Sequence, residues 1–207
     1  MNMNKTLLTT AAVLAFSLST GAQASLVTRA GVGVYDTVNN ITWAADANLA
    51  QTSGYDTDGK MTWAEAVAWA DQLTLGGFTD WMLPTTVPEV VGYNQTGSQM
   101  GDLFYNQLGG ELARSIANSH NNNYTYQFIN VQSAEYWSGS ERSDLSAFAW
   151  LFNFDKGFQT NYTKGLQYYA WAVRPGDVAA VPVPGAFWLF GSAIVGLMGL
   201  KRSGNIG

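Results

Sequence analysis

The alternation of apolar and polar positions changes period along this chain, and the changes mark its elements. Tyr35 to Trp43 places two β-prone runs around Asn39 and Asn40, the pattern of a hairpin. Asp56 to Gly59 is a polar turn, and Thr62 with Glu65 has the spacing of a helix capping box. Trp63, Ala66, Val67, Ala70 and Leu73 then recur at helical spacing, which predicts a helix with one apolar face, stopped by Gly76 and Gly77. Phe78 to Pro84 reads as a short strand or extended segment, and Pro88 to Val91 as a second, short helix. Gly92 to Asn130 is poor in charge and rich in Asn, Gln and Gly; it reads as a loop-rich insertion with a short helix at Leu103 to Leu108. Strands are predicted at Tyr136 to Ser138, Phe148 to Phe154, Phe158 to Tyr162 and Tyr168 to Arg174. The order predicts an α+β domain of antiparallel strands with one or two helices against them. No internal repeat is present.

Both ends break this pattern. Lys5, the apolar stretch Leu7 to Leu18 and the small-x-small site Ala22-Gln23-Ala24 read as a secretory signal peptide, residues 1–24, cut after Ala24. At the other end Val181, Pro182, Pro184 and Gly185 lead into an uncharged apolar run, Ala186 to Leu200, stopped by Lys201 and Arg202. As a helix these 15 residues would span about 22 Å against a bilayer core of about 30 Å. That predicts a marginal transmembrane anchor, residues 181–207, with its basic end on the cytoplasmic side. One domain, 25–176, and a linker, 177–180, lie between.

Charge and residue types then narrow the chemistry. Residues 25–180 carry seven Lys and Arg against all fifteen Asp and Glu, a net charge of about −8. Nucleic acid, which selects basic surfaces, is an unsuitable partner. The chain has no cysteine, which removes thiolate nucleophiles, Cys-bound zinc and Fe–S clusters. His120, the single histidine, sits in a polar Asn-rich loop and reads as a solvated side chain.

Seven of the eight tryptophans fall inside the domain. Trp and Tyr stack well on sugar rings, because each offers large area at low entropic cost. Trp43, Trp63, Trp81, Trp137 and Trp171 read as core; Trp69, Tyr93, Tyr124, Tyr126 and Tyr162 are the candidates for a ligand-binding surface. Gly54 to Glu65 overlays part of a calcium-binding loop, with Asp56, Asp58 and Glu65 as candidate ligands, although Gly54 replaces the first Asp and Glu65 also completes the capping box. Three functions stay open: an exported glycan-binding or matrix protein without catalysis, a hydrolase using acidic side chains, or a structural protein tethered by an uncut tail.

Two resemblances add to this. Val181-Pro-Val-Pro-Gly-Ala-Phe-Trp-Leu-Phe-Gly-Ser192, an apolar run and Lys201-Arg202 resemble the PEP-CTERM sorting signal, with Val183 in place of the usual central Glu. The likeness implies an exosortase-type processing partner in the inner membrane of a Gram-negative bacterium. It also implies a final place at the cell surface or in the extracellular polysaccharide matrix. Within the domain, four pieces resemble the Lcl C-terminal domain family: Tyr35–Trp43, Met61–Ala66, Asp80–Thr85, and Tyr136–Glu141 with Ala170–Arg174. That family is similar to formylglycine-generating enzymes and C-type lectins in fold, and its relatives include glycan-binding surface adhesins. The resemblance implies a C-type-lectin-like domain without the enzyme's chemistry, which needs active-site cysteines. Met82 stands where relatives commonly carry Arg.

Overall fold

The computed structural model describes residues 25–178. The signal-peptide and sorting-tail segments lie outside them. No helix among the described residues is long and apolar enough to cross a membrane.

Among the described residues, ten strands form two sheets. Strands β1 (Leu26–Arg29), β2 (Gly33–Asp36), β3 (Ile41–Ala44) and β10 (Val173–Pro175) make a four-stranded sheet in the order β1-β2-β3-β10. Strands β4 (Lys60–Met61), β5 (Gly92–Tyr93), β6 (Glu135–Glu141), β7 (Phe148–Asn153), β8 (Phe158–Thr163) and β9 (Tyr168–Tyr169) make a six-stranded sheet in the order β4-β9-β6-β7-β8-β5. All pairings are antiparallel except β6 with β9, which is parallel at Tyr136 and Tyr169. The helices are α1 (Leu49–Thr52), α2 (Trp63–Gln72), α3 (Gln99–Asp102), α4 (Ile116–Ser119) and α5 (Asn122–Gln127). A π-helical turn, Leu103–Gln107, follows α3.

The architecture is α+β, with more and shorter helices than the expected one or two. The hairpin forms as the sequence predicts. Asp36 and Ile41 close it, the Asp36 carboxylate accepts the N–H groups of Val38 and Asn39 at 2.9 and 3.1 Å, and Asn40 takes the left-handed conformation at φ 51°. The capping box of α2 is also present: Thr62 Oγ1 accepts from the Glu65 N–H, and Glu65 Oε2 accepts from the Thr62 N–H at 2.9 Å.

Four expectations need correction. The segment Pro88 to Val91 is a turn with Glu89 at φ 57°, not a helix, because the buried Gln159 side chain holds the carbonyls of Val87 and Val90 and the N–H of Val87. Tyr168 to Arg174 is two strands in two different sheets, with Trp171 buried between them. Gly92 to Asn130, expected as a loop-rich insertion with one short helix, carries three short helices and a π-helical turn at Leu103–Gln107, because Met100, Leu103, Phe104, Leu108, Ile116 and Phe128 pack into the core. Helix α2 ends at Gln72, before Gly76, because Leu73 turns to an extended conformation.

The core reaches both sheets, and β6 and β7 are buried on both of their faces. Trp171 is its centre, with ring centroids 5.2 Å from Trp43, 5.0 Å from Phe128, 5.7 Å from Tyr136 and 5.8 Å from Phe154. Edge-on and tilted pairs of this kind add about 0.5–1.5 kcal/mol each beyond area burial. Burying an indole leaves one N–H to satisfy. Trp171 donates to the Ala44 carbonyl and Trp137 to that of Met61, both at 2.8 Å. Trp63 donates to Ser138 at 2.8 Å and Trp81 to Leu75 at 3.3 Å.

A candidate ligand groove on the outer face of the six-stranded sheet

Strand β8 decides which side chains face outward. Gln159 is fully buried and points inward, so Phe158, Thr160 and Tyr162 share the opposite face by the two-residue period of a strand. The register carries that face across the neighbours: Phe158 pairs with Asn153 of β7 and with Tyr93 of β5, and Asn153 pairs with Glu135 of β6. These residues, with Lys156 from the β7–β8 turn, line a groove of about 250 Å³.

Its floor is aromatic and its polar groups converge. Tyr93 stands edge-on to Phe158, with centroids 4.7 Å apart. Tyr162 leans on Tyr168 at 5.9 Å. Asn153 Nδ2 donates to Glu135 Oε1 at 2.8 Å, which fixes both side chains, and the Asp155 N–H reaches Asn153 Oδ1 at 2.7 Å. Burial pushes the Tyr168 phenol up, and the charge of nearby Glu135 adds to that. Gly157 holds the turn that presents Lys156. It sits at φ +69°, and a Cβ there would lie 2.5 Å from the Tyr105 hydroxyl oxygen, which itself donates to the Gly157 carbonyl at 2.6 Å.

Of the five aromatic candidates, the groove unites two, Tyr93 and Tyr162, which are 37% and 43% exposed. Tyr126 is 78% exposed on α5, and Tyr124 is partly buried, stacked on the exposed His120 ring at 4.2 Å. Trp69 corrects the expectation outright: it is 2% exposed. It lies three residues beyond Ala66 and one before Ala70, so it falls on the buried stripe of α2. Glu135, Asn153, Lys156, Phe158 and Thr160 are groove residues that sequence reasoning missed. The signal for two of them was available, since Phe158, Thr160 and Tyr162 alternate on one predicted strand.

The calcium candidates are engaged otherwise. Burial works to raise the Asp56 carboxyl, but the N–H groups of Asp58 and Gly59, at 3.0 and 2.7 Å, outweigh it and hold the group low. Hydrogen bonds from the Thr62 hydroxyl and N–H hold Glu65 low. Asp58 accepts the Lys60 N–H at 3.1 Å. No group of three or more His, Asp or Glu among the described residues is arranged to hold a metal ion.

A separate hollow of about 270 Å³ lies between Trp63, Trp81 and Met82. Its walls are mostly apolar, and Met82 is 45% exposed there. A polyol ligand needs convergent hydrogen-bonding groups, and the β8 groove has more of them.

The fold and groove together define an α+β surface-groove domain with a Trp-centred core. A sequence profile of the Lcl C-terminal domain matches residues 33–174, and the chain belongs to that family. The comparison with curated proteins gave no match. The resembling sequence pieces meet in space. Met82 and Val173 exchange backbone hydrogen bonds at 2.7 and 2.8 Å, and the Arg174 guanidinium clamps Asp80 through two bonds at 2.7 and 2.9 Å. These pieces build the scaffold and stay outside the groove; Glu135 stands one residue before the piece that begins at Tyr136.

Proposed function

We propose that the chain is an exported, non-catalytic protein of the cell surface or extracellular polysaccharide matrix, and that it binds glycan in the groove of Tyr93, Glu135, Asn153, Lys156, Phe158, Thr160 and Tyr162. The observation that carries this is the pairing of exposed tyrosines with fixed amide and carboxylate groups on one rigid sheet face. Aromatic rings take the apolar face of a sugar, and the amide, carboxylate, ammonium and hydroxyl groups take its hydroxyls. Glu135 is the one carboxylate among the lining residues, whereas glycoside hydrolysis commonly uses two, which favours binding over turnover. The two-sheet α+β arrangement is consistent with a C-type-lectin-like fold. The Ala22–Ala24 site and the tail from Val181 to Arg202 support export, a transient inner-membrane anchor and exosortase-type processing. Calcium has no part in this reading, because Asp56, Asp58 and Glu65 serve the turn and the helix cap.

The test is titration of the full chain with the producing cell's own extracellular polysaccharide and with a glycan array. Saturable binding that disappears in Tyr93→Ala/Tyr162→Ala is expected; no binding to any glycan overturns the reading. Mass spectrometry of the protein from cells tests the tail: a retained peptide from Phe187 to Leu200 means a permanent anchor.

A further inference from the structure

We propose that the hollow between helix α2 and the extended segment 81–85 is a second binding site, separate from the β8 groove, and that it takes a small organic cation. The ligand is an ammonium group carried on an apolar body of about one aromatic ring. This site does not depend on the carbohydrate reading above. Trp63, Val67 and Asp71 are spaced four residues apart on α2, so they share one side of the helix and form one wall of the hollow. Trp81, Met82 and Thr85 form the facing wall. That wall is fixed through its backbone: Met82 and Val173 exchange two hydrogen bonds, at 2.7 and 2.8 Å, and the Gly139 N–H donates to the Pro84 carbonyl at 2.9 Å.

The chemistry of the walls selects the charge. Both indole N–H groups are already taken, that of Trp63 by the Ser138 carbonyl at 2.8 Å and that of Trp81 by the Leu75 carbonyl at 3.3 Å. The tryptophans therefore offer ring surface and no donor. The Trp63 ring already attracts one cation, the Lys164 ammonium 4.3 Å away, which is paired with Glu141 at 2.8 Å. Among the described residues lining the hollow, Asp71 is the one charged side chain. Asp71 and Thr85 are exposed, and neither the Asp71 carboxylate nor the Thr85 hydroxyl makes a hydrogen bond or ion pair with a described residue. Both oxygens can accept the N–H groups of an ammonium, and indole faces attract its charge. The net charge of about −8 on residues 25–180 draws ligands of the same sign. Met82, 45% exposed, has a flexible thioether side chain that can pack on an apolar body. The size points to a small molecule. The hollow, about 270 Å³, is near the lower bound of small-ligand sites, about 300 Å³. A protein partner commonly covers about 800 Å² per side, far more than a hollow of this size presents.

The experiment titrates the full chain with phenethylamine and, in parallel, with its uncharged analogue 2-phenylethanol and the anionic phenylacetate. Saturable binding of the amine is expected, about tenfold tighter than the alcohol, with phenylacetate weakest. In Asp71→Asn, an exposed position, the amine and the alcohol should come within about twofold of each other. Met82→Arg, which brings the chain's own guanidinium to the same hollow, should weaken the amine by about tenfold, with the melting temperature checked in parallel. Tyr93→Ala/Tyr162→Ala should leave amine binding unchanged. No saturable binding of the amine, equal affinity for all three probes, or a preference for the amine that survives Asp71→Asn overturns the proposal. Amine binding that is lost in Tyr93→Ala/Tyr162→Ala assigns it to the β8 groove and overturns the proposal too. Failure of every glycan to bind overturns the carbohydrate reading and leaves this site standing.

Discussion

Trp171 and Tyr162 are aromatic residues nine positions apart, yet the sheet puts them in opposite settings. Trp171 is fully buried, ringed by Trp43, Phe128, Tyr136 and Phe154, with its indole N–H satisfied by Ala44. Tyr162 is 43% exposed, touches Tyr168 on one side and faces a groove on the other. The first region closes on itself; the second leaves aromatic area and polar groups available to a partner. Residues that make the family resemblance mostly belong to the first region, and those that suit a ligand mostly to the second. Family membership therefore speaks to the scaffold far more than to the ligand.

Trp171→Ala should cost about 3–5 kcal/mol by chemical denaturation, since it empties the centre of the core; a loss under about 1 kcal/mol would mean that the core does not depend on it. Gly157→Ala joins the two regions. It forces a left-handed Ala against Tyr105, so about 1–3 kcal/mol of stability and the presentation of Lys156 should both suffer.

Asp80→Asn should cost roughly 1–2 kcal/mol, because Asp80 is half exposed while its partner Arg174 is buried. The pH dependence has a fixed sign. The Arg174 guanidinium holds the Asp80 carboxyl below its ordinary range, so the stabilisation is present above the unfolded value near 3.9 and disappears as the pH falls through the lower folded value. The stability gap between wild type and Asp80→Asn should close below about pH 4; a gap that widens there would contradict the pairing. The smallest effect on folding belongs to Tyr93→Ala and Tyr162→Ala, each under about 1 kcal/mol, while glycan affinity falls about tenfold.

The two regions also differed in how well the sequence revealed them. The hairpin at Asp36–Ile41 and the cap at Thr62–Glu65 are local hydrogen-bonding patterns, and they form as read. The split of Tyr168 to Arg174 was hidden, because its alternation looks like one strand and only the competing partners Met61 and Trp43 divide it. Strand β1 was missed because Leu26 to Arg29 is short and its partner β2 supplies its pairing. Trp69 was misplaced by one choice of helical face. Tyr93 and Tyr162 were found as exposed aromatics, but their meeting depends on β5 pairing with β8 across more than sixty residues, which no local pattern encodes.

The most direct test is calorimetric titration of the full chain, wild type against Tyr93→Ala/Tyr162→Ala, with the producing cell's extracellular polysaccharide and a thermal melt of each sample. A melting temperature within about 4 °C of wild type together with lost binding is the predicted result. Binding that persists in the double variant, or that is lost only because the protein unfolds, would contradict the separation of a closed core from an open groove.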